Sequence, residues 1–249
     1  MKYFFSPYNA LVSSSSEKKE QAEFILDYLQ HEDEIVLDCF AGDGTLASLL
    51  CSKGIQVISL EEDFVLFTLM LARFRNDSSS RHLLSPFPVN VLNFNVQQAF
   101  KCILLLDSVS YLDDAVLMQS LLRANELLEV GGVIVINGPR FHELRSEHQK
   151  NEVFKNVYGN NTLKHFGSSK KLSTLKYKID FSFVHSFKEI DVVRQDFSYT
   201  LHLREPEEFI QILSRFGIYN FTIFADWHKN AFVNDCYSYV IVCQKIGSN

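Results

Sequence analysis

The chain has 249 residues, of which 47% are hydrophobic and 22% are charged. This length allows one α/β domain with a sizeable core, and the composition excludes a disordered chain. The formal net charge of -6 at pH 7 argues against a nucleic-acid partner, because nucleic-acid binders usually carry a basic face. The densest basic run lies at 164–178. A solvated loop face is its first interpretation, and an anion-binding lid is the second.

The cysteines and the N-terminus indicate the compartment. The five cysteines form no C-x-x-C pair and their number is odd, which predicts reduced, buried thiols in a cytoplasmic protein. Residues 1–8 contain one Lys and no sustained apolar core, so no signal peptide is expected. No apolar run approaches the roughly 20 residues that a membrane helix needs, and no membrane partner is expected.

In the first part of the chain, helical spacing alternates with short apolar runs. The spacing predicts helices at 17–30, 46–50, 64–74 and 113–128, and the apolar runs predict strands at 34–40, 55–60, 89–94, 102–106 and 133–136. Strands that alternate with helices imply a parallel sheet covered on both faces.

The pattern changes in the last third of the chain. Residues 175–203 alternate by two, which predicts an antiparallel meander with one buried face. A helix at 207–216 and strands at 221–225 and 237–243 follow. The expected organisation is a single domain with a cap-helix region at 1–30, a cofactor-binding half at 31–140, a substrate-side insertion at 141–205 and a closing helix with two strands at 206–249.

A glycine-containing turn follows the first predicted strand, with the sequence Asp38-Cys39-Phe40-Ala41-Gly42-Asp43-Gly44-Thr45. Glycines let the backbone turn sharply into a helix and let a ligand approach without a Cβ in the way. The helix N-terminus offers N–H groups to a carboxylate or a phosphate. Glu61 stands 19 residues after Gly42, at the end of the second strand, where a carboxylate can accept hydrogen bonds from both ribose hydroxyls of an adenosine.

The glycines alone do not choose the cofactor, since Gly42-x-Gly44-x-x-Ala47 also fits the dinucleotide fingerprint. Asp38 suits an ammonium group better than a pyrophosphate. A helix before the first strand and an antiparallel sheet edge at the end of the chain also favour S-adenosylmethionine. NAD(P) stays as the alternative.

With these features the chain resembles the class I S-adenosylmethionine-dependent methyltransferases over residues 20–245. The resemblance is carried by residues 36–45, 57–61, 121–139, 207–218 and 238–245. It implies an α/β, three-layer Rossmann-like fold with a seven-stranded sheet, mostly parallel with an antiparallel last strand. The meander resembles the antiparallel β insertion that lies over the active site in small-molecule enzymes of the glycine/sarcosine N-methyltransferase type.

The resemblance also implies which residues contact the cofactor, S-adenosyl-L-methionine. The turn would cradle the methionine part, Glu61 would hold the ribose, and the loop after the third strand would meet the adenine. The residues so assigned are Asp38, Phe40, Ala41, Gly42, Gly44, Glu61, Glu62, Asn93, Phe94, Asn95 and Asp107. Phe40 replaces the first glycine of the family's G-x-G-x-G, and residues 93–95 stand where family members often have an Asp.

The acceptor side is less defined, because methyl transfer from a sulfonium is an in-line displacement that needs positioning more than a dedicated base. No catalytic residue is assigned. The pocket candidates are Tyr111, Arg140, His142, His185, Arg194, Tyr199 and His202. Tyr111 and Arg140 rank first because strand ends at the carboxyl edge line ligand crevices. His142 and His148 do not have the H-E-x-x-H spacing, so no metal is predicted.

The expected protein is therefore an S-adenosylmethionine-dependent methyltransferase that moves a methyl group to nitrogen or oxygen of a small molecule. The segment 106–111 lacks a D-P-P-Y type motif, which, together with the acidic charge, favours a small-molecule acceptor over nucleic acid. The alternatives are a methyltransferase acting on protein or RNA, a non-catalytic S-adenosylmethionine-binding homologue and an NAD(P)-dependent oxidoreductase. The sequence does not indicate an oligomeric state.

Overall fold

The computed structural model describes residues 15–29, 34–76, 81–140, 151–158, 161–188, 190–233 and 235–248. The contacts divide the chain into two units. The first unit comprises residues 1–140 and 204–249, and the second comprises residues 141–203.

The described part of the first unit contains α-helices and short 3-10 helices. The α-helices are α1 (Ser15–Leu26), α2 (Thr45–Cys51), α3 (Phe64–Asn76), α4 (Asp114–Leu127) and α5 (Pro206–Leu213). The 3-10 helices are Arg81–Leu83, Val91–Asn93 and Val109–Tyr111. The first residues of two α-helices explain where these helices begin. At the start of α4 the Asp113 side chain accepts a hydrogen bond from the Val116 N–H, and Pro206 occupies the first turn of α5.

The strands of the two units, in chain order, are β1 (Ile35–Asp38), β2 (Gln56–Leu60), β3 (Leu84–Phe87), β4 (Phe100–Leu105), β5 (Leu128–Pro139), β6 (Asn151–Tyr158), β7 (Asn161–Ser173), β8 (Lys176–Phe187), β9 (Ile190–His202), β10 (Gly217–Phe224) and β11 (Ser238–Ser248). Strands β6 to β9 belong to the second unit and the others to the first.

The first unit is built on a seven-stranded sheet with the order β10-β11-β5-β4-β1-β2-β3. Strands β1 to β5 run parallel to one another, whereas β11 is antiparallel to both β5 and β10. The predicted sheet with an antiparallel last strand is confirmed. The chain proceeds from β1 to β3 on one side and then returns to β4 on the other side of β1. Such a reversal point is where open α/β sheets bind ligands.

Helices cover both faces of this sheet. On one face Leu37 and Ile103 pack in a core cluster with residues of α4 and α5. On the other face Val36 and Leu104 pack with residues of α1, α2 and α3. Successive strand residues therefore point to opposite cores, which explains the continuous apolar runs. Each fully buried Leu, Ile or Phe contributes about 2 kcal/mol through the hydrophobic effect, so the three layers are stabilised mainly by these two cores.

The third strand differs from its prediction. The strand expected at 89–94 is wrong: β3 is Leu84–Phe87, and Val91–Asn93 is a 3-10 helix capped by the Asn90 side chain. Pro86 made residues 84–87 an improbable strand on sequence grounds, because proline cannot donate to a ladder. Among the described strands β3 lies at the edge of the sheet with β2 as its one neighbour, so it tolerates this residue.

The second unit is a four-stranded antiparallel sheet with the order β6-β7-β8-β9. Strands β8 and β9 confirm the predicted antiparallel meander, and their paired residues Tyr177 and Leu201 are buried on one face. Strands β6 and β7 were not predicted. The position of this sheet over the active site stays a prediction.

Other expectations concern membranes, metals and thiols. None of the described helices has the length and apolar character to cross a membrane. Among the described residues, no group of three or more His, Cys, Asp or Glu side chains is arranged to hold a metal ion; His142 and His148 lie outside those residues. The cysteines are free thiols, and Cys39, Cys51, Cys102 and Cys243 are buried, as predicted for a reduced protein.

We expect Lys245 to stabilise the first unit. Its ammonium on β11 donates to the carbonyl oxygens of Asn125 (2.8 Å) and Leu128 (3.0 Å), at the end of α4. The side chain is buried, which lowers its pKa. In Lys245→Met these carbonyls lose a charged donor, so the free energy of unfolding should fall by about 2 kcal/mol in urea titration. The exposed Lys53→Met is the control, with an expected change below about 0.5 kcal/mol. Equal effects of the two variants would contradict this role.

Candidate cofactor site at the carboxyl edge of the sheet

The candidate site lies where β1, β2 and β4 end side by side. Asp38 is the last residue of β1, Glu61 follows β2, and Asp107 comes two residues after β4. Asp38 is 2% exposed. Burial raises the pKa of its carboxyl group to about 6, although the Lys18 ammonium and a hydrogen bond from the Phe40 N–H oppose the shift. The edge of the sheet thus concentrates carboxyl groups around the reversal point.

The turn after β1 brings the backbone to this edge. The Ala41 N–H donates to the Leu60 carbonyl (3.0 Å), and the Gly44 N–H donates to the Ala41 carbonyl (3.0 Å). Asp43 accepts hydrogen bonds from the Thr45 N–H and hydroxyl and forms an ion pair with Arg73 on α3. These contacts hold the turn against the end of β2 and the start of α2.

The two glycines of the turn serve different purposes. Both have left-handed backbone conformations, with φ of 59° at Gly42 and 73° at Gly44. A Cβ on Gly44 would lie 2.6 Å from Met70 Cγ, so α3 packs against this backbone. By contrast, no described atom lies within 4 Å of a Cβ placed on Gly42. The Gly42 backbone therefore borders the open side of the turn, where a ligand can approach closely.

Glu61 connects the turn to the end of β2. Its Oε2 accepts from the Gly42 N–H at 2.9 Å, and its Oε1 accepts from the Asp63 N–H at 2.8 Å. Burial raises the pKa of Glu61 to about 7, although both hydrogen bonds act in the opposite direction. An ionised carboxylate offers about four lone-pair positions, so about two remain for the hydroxyls of a ribose. This arrangement fits the role expected for Glu61.

The loop after β3 contains the residues expected near the adenine. The Asn90 amide donates to the Glu62 carboxylate at 2.8 Å, which ties this loop to the end of β2. Phe94 is buried, with its ring against Phe87 and Phe100. Its ring is thus part of the core. The exposed side chains of Asn93 and Asn95 are then the ones in this loop that suit an adenine contact, which stays a prediction.

Asp107 has an unusual backbone and a dense set of partners. Its φ is 55°, a left-handed value that is uncommon for a residue with a side chain. Asn137 on β5 accepts from the Asp107 N–H (2.7 Å) and donates to Asp107 Oδ1 (2.6 Å). Strained backbone at a strand end is typical of functional sites. The contact of Asp107 with the cofactor stays a prediction.

Two residues of this site had no signal in the sequence. Lys18 and Gln21, on α1, donate to Asp107 Oδ2 at 2.8 and 3.3 Å. Burial raises the pKa of Asp107, but the Lys18 charge and the hydrogen bonds from Asn137, Lys18 and Gln21 outweigh it, so the pKa is lowered. The contact from Lys18 spans 89 residues, and only the docking of α1 against the sheet reveals it.

The two leading acceptor candidates lie in the first unit. Tyr111 follows β4 in the 3-10 helix Val109–Tyr111 and is 38% exposed. Arg140 follows β5, with its Nε 2.7 Å from Glu205 Oε2 and its guanidinium 5.0 Å from the centre of the Phe232 ring. Arg140 thereby connects β5 to the start of α5, while Tyr111 presents an exposed side chain next to the β4 end.

The remaining acceptor candidates belong to residues 141–203. Arg194 forms an ion pair with Asp196 on its own strand, and Tyr199 packs in a small cluster with Tyr177 and Leu201. His202 is the last residue of β9. Of the other two candidates, His142 lies outside the described residues, and the side chain of His185 is not described.

A loop after β10 holds α1 against the sheet. The Trp227 ring lies 5.3 Å from the Phe24 ring in an edge-on arrangement. Lys229 forms an ion pair with Asp27 (2.8 Å) and lies over the Tyr28 ring. Because α1 carries Lys18 and Gln21, this loop contributes to their position at the carboxyl edge.

We expect Trp227→Ala to loosen α1. Loss of the aromatic contact should reduce the free energy of unfolding by about 2 kcal/mol and increase hydrogen exchange of the α1 amides more than that of β4. Hydrogen exchange followed by mass spectrometry measures both segments in one sample. Tyr237→Ala, which removes a large side chain that is 79% exposed, is the control. Unchanged exchange in α1 would show that the loop does not anchor it.

Comparison with known proteins identifies the class of fold. A structure of an S-adenosylmethionine-dependent methyltransferase from Clostridium acetobutylicum has 18% identity and a TM-score of 0.76, with 97% of this chain and 96% of that chain covered. The sugar N-methyltransferase KedS8 from Streptoalloteichus has 13% identity and a TM-score of 0.76, covering 98% and 96%. S-adenosylmethionine-bound CalS10, an amino pentose methyltransferase from Micromonospora echinaspora, has 14% identity and a TM-score of 0.68, covering 97% and 98%.

These similarities extend over nearly the full length of each chain, and they establish the fold. The chain has the fold of the class I S-adenosylmethionine-dependent methyltransferases, which confirms the predicted resemblance at the level of structure. No protein-family model matches the chain, and no curated protein matches it. Function must therefore be argued from the residues of the site, because one fold hosts many activities.

Proposed function

We propose that this protein is a cytoplasmic S-adenosylmethionine-dependent methyltransferase that transfers a methyl group to nitrogen or oxygen of a small molecule. The observation that carries the proposal is the hydrogen bond between the Gly42 N–H and the Glu61 carboxylate (2.9 Å). This hydrogen bond joins the glycine turn to a carboxylate that can accept hydrogen bonds from ribose hydroxyls, and both lie at the reversal point of the sheet. Buried free thiols are consistent with a reducing compartment.

The residues at the edge fit this cofactor. Gly42 borders an open side of the turn, Glu61 retains acceptor positions for ribose hydroxyls, and Asn93 and Asn95 are exposed on the adenine side. When bound, S-adenosylmethionine supplies an electrophilic methyl group on a sulfonium. The protein's own residues then bind and orient the reactants and exclude water, which is the main requirement of an in-line displacement.

The charge at the edge argues against a dinucleotide. The Asp38 carboxyl group lies at the end of β1, directly before the glycine turn. A pyrophosphate carries negative charge and would be repelled by this group in its ionised form. S-adenosylmethionine carries an ammonium and a sulfonium, which the same group attracts. This difference favours S-adenosylmethionine over NAD(P).

The activities of two proteins with similar structures support a small-molecule acceptor. KedS8 is a sugar N-methyltransferase and CalS10 is an amino pentose methyltransferase. The net charge of -6 also favours such an acceptor over nucleic acid. We therefore propose an amine as the first methyl acceptor to test. In this proposal Tyr111 lines the acceptor pocket, and the sheet at 141–203 is the substrate-side insertion.

The activity can be tested by following S-adenosylhomocysteine formation from S-adenosylmethionine. We expect turnover with one or more members of a panel of amino sugars and their hydroxyl analogues, and no product without an acceptor. A Glu61→Ala enzyme serves as the inactive control. Reduction of NAD(P) by a sugar panel, with no binding of S-adenosylmethionine, would contradict the proposal.

A further inference from the structure

Lys18 brings a positive charge to an otherwise acidic edge. Its ammonium lies 2.8 Å from Asp107 Oδ2 and 3.0 Å from Gln21 Oε1, and its side chain is only 17% exposed. Its charge also acts on Asp38, whose pKa is set first by burial and then by Lys18. Lys18 is therefore paired with the carboxylate after β4, and its charge also reaches the carboxyl group at the end of β1, at the edge where the proposed cofactor binds.

The partners of Lys18 are arranged to hold it in place. Asp107 is fixed by its two hydrogen bonds with Asn137 on β5. Burial lowers the pKa of Lys18, but the adjacent Asp107 carboxylate more than compensates, so the pKa is raised. The pKa of Asp107 is lowered in turn. Both groups are therefore charged at neutral pH, and Asp107 acts as a fixed counter-ion rather than as a base.

Lys18 also retains a donor for a ligand. A lysine ammonium has three N–H groups. Among the described residues, Gln21 and Asp107 accept from two of them. The third can donate to an anion that enters the edge, without loss of the Asp107 contact. A group bound in this way gains a charge-assisted hydrogen bond from a donor whose position is already determined.

We propose that Lys18 binds the carboxylate at the amino-acid end of the cofactor, with Asp107 and Asn137 as residues that position its ammonium. The inference rests on the proposed function. The amino-acid end of S-adenosylmethionine carries a carboxylate, which the carboxyl groups of Asp38, Glu61 and Asp107 would otherwise repel. The positive charge of Lys18 offsets this repulsion. It thereby selects ligands that have the complete amino-acid end over those that have only the adenosine.

Two ligands distinguish carboxylate binding by Lys18 from a general disturbance of the cofactor site. S-adenosylhomocysteine has the amino-acid carboxylate, whereas 5′-methylthioadenosine keeps the adenosine and the sulfur but lacks the carboxylate. In Lys18→Met we expect the affinity for S-adenosylhomocysteine to fall by about 10- to 100-fold, and the affinity for 5′-methylthioadenosine to stay within about twofold. Isothermal titration calorimetry measures both dissociation constants without any need for turnover.

Matched variants complete the test. Lys19→Met removes an exposed neighbouring lysine of α1 and should leave both affinities unchanged. Asp107→Asn should weaken S-adenosylhomocysteine by a smaller factor than Lys18→Met, because the ammonium remains but is less well positioned. Lys18→Arg keeps the charge and should recover part of the affinity. Circular dichroism melting of each variant verifies that it is folded.

The contrary results are distinct. If Lys18→Met binds S-adenosylhomocysteine as tightly as the wild type, or loses affinity equally for both ligands, the assignment of Lys18 is overturned and the proposed function stands. If the wild-type protein binds neither ligand, the proposed function is overturned and this inference with it.

Discussion

Replacing Glu61 with glutamine is expected to weaken S-adenosylhomocysteine binding by about 100-fold. Glutamine has one acceptor oxygen in place of two, while the N–H groups of Gly42 and Asp63 both point at this side chain. The amide would satisfy these donors incompletely and leave little acceptor capacity for a ribose. Isothermal titration calorimetry measures the change. Glu126→Gln, an exposed carboxylate on α4, is the matched control and should bind like the wild type.

The same carboxyl group predicts a pH dependence. Burial raises the pKa of Glu61 to about 7, and the ribose is accepted by the ionised form. The affinity for S-adenosylhomocysteine should therefore reach its maximum above about pH 8. Below pH 7 it should fall by up to about tenfold per pH unit, because protonation of Glu61 competes with binding. This slope should be reduced in Glu61→Gln, which does not titrate. An equal slope in both proteins would assign the pH dependence to another group.

Gly44→Ala is expected to lower the free energy of unfolding by about 3 kcal/mol. The backbone at Gly44 is left-handed, with φ of 73°, and a Cβ there would lie 2.6 Å from Met70 Cγ. The variant combines backbone strain with a clash against α3. Urea unfolding monitored by circular dichroism measures the loss.

Gly54→Ala separates the contribution of backbone strain from that of the steric clash with α3. Gly54 also has a left-handed backbone, with φ of 86°, but no described atom lies within 4 Å of its Cβ position. It should lose only the strain contribution, about 1 kcal/mol. Shortening Met70 to Ala in the Gly44→Ala background relieves the clash, so the two changes should be less destabilising together than their sum. Equal losses in Gly44→Ala and Gly54→Ala would mean that α3 does not pack tightly on this turn.

The parallel half of the fold was predictable because its signals are local. Strands β1 and β4 are buried on both faces, and their apolar runs stand out between helical patterns. Strand β3 was not recognised because an edge strand can contain a proline, here Pro86. Strand β7 was missed as well, since polar residues such as those at 168–171 give no apolar alternation.

The candidate site also combines residues that local sequence patterns predict with residues that only the tertiary structure reveals. Gly42 and Glu61 were predicted because their spacing follows directly from a strand, a turn, a helix and a second strand. The contact of Lys18 with Asp107 depends on how α1 packs against the sheet, which is in turn supported by Trp227 and Lys229 from the far end of the chain. No local pattern encodes such a contact. Phe94 shows the reverse case, a residue assigned by resemblance whose ring lies in the core.

Thermal shift with S-adenosylmethionine, S-adenosylhomocysteine and NAD(P) is the most direct test of the proposed cofactor site. A ligand that binds only the native state raises the melting temperature in proportion to the logarithm of its concentration above the dissociation constant. We predict stabilisation by both S-adenosyl ligands, its loss in Glu61→Ala, and no shift with NAD(P). Stabilisation by NAD(P) alone would contradict the account.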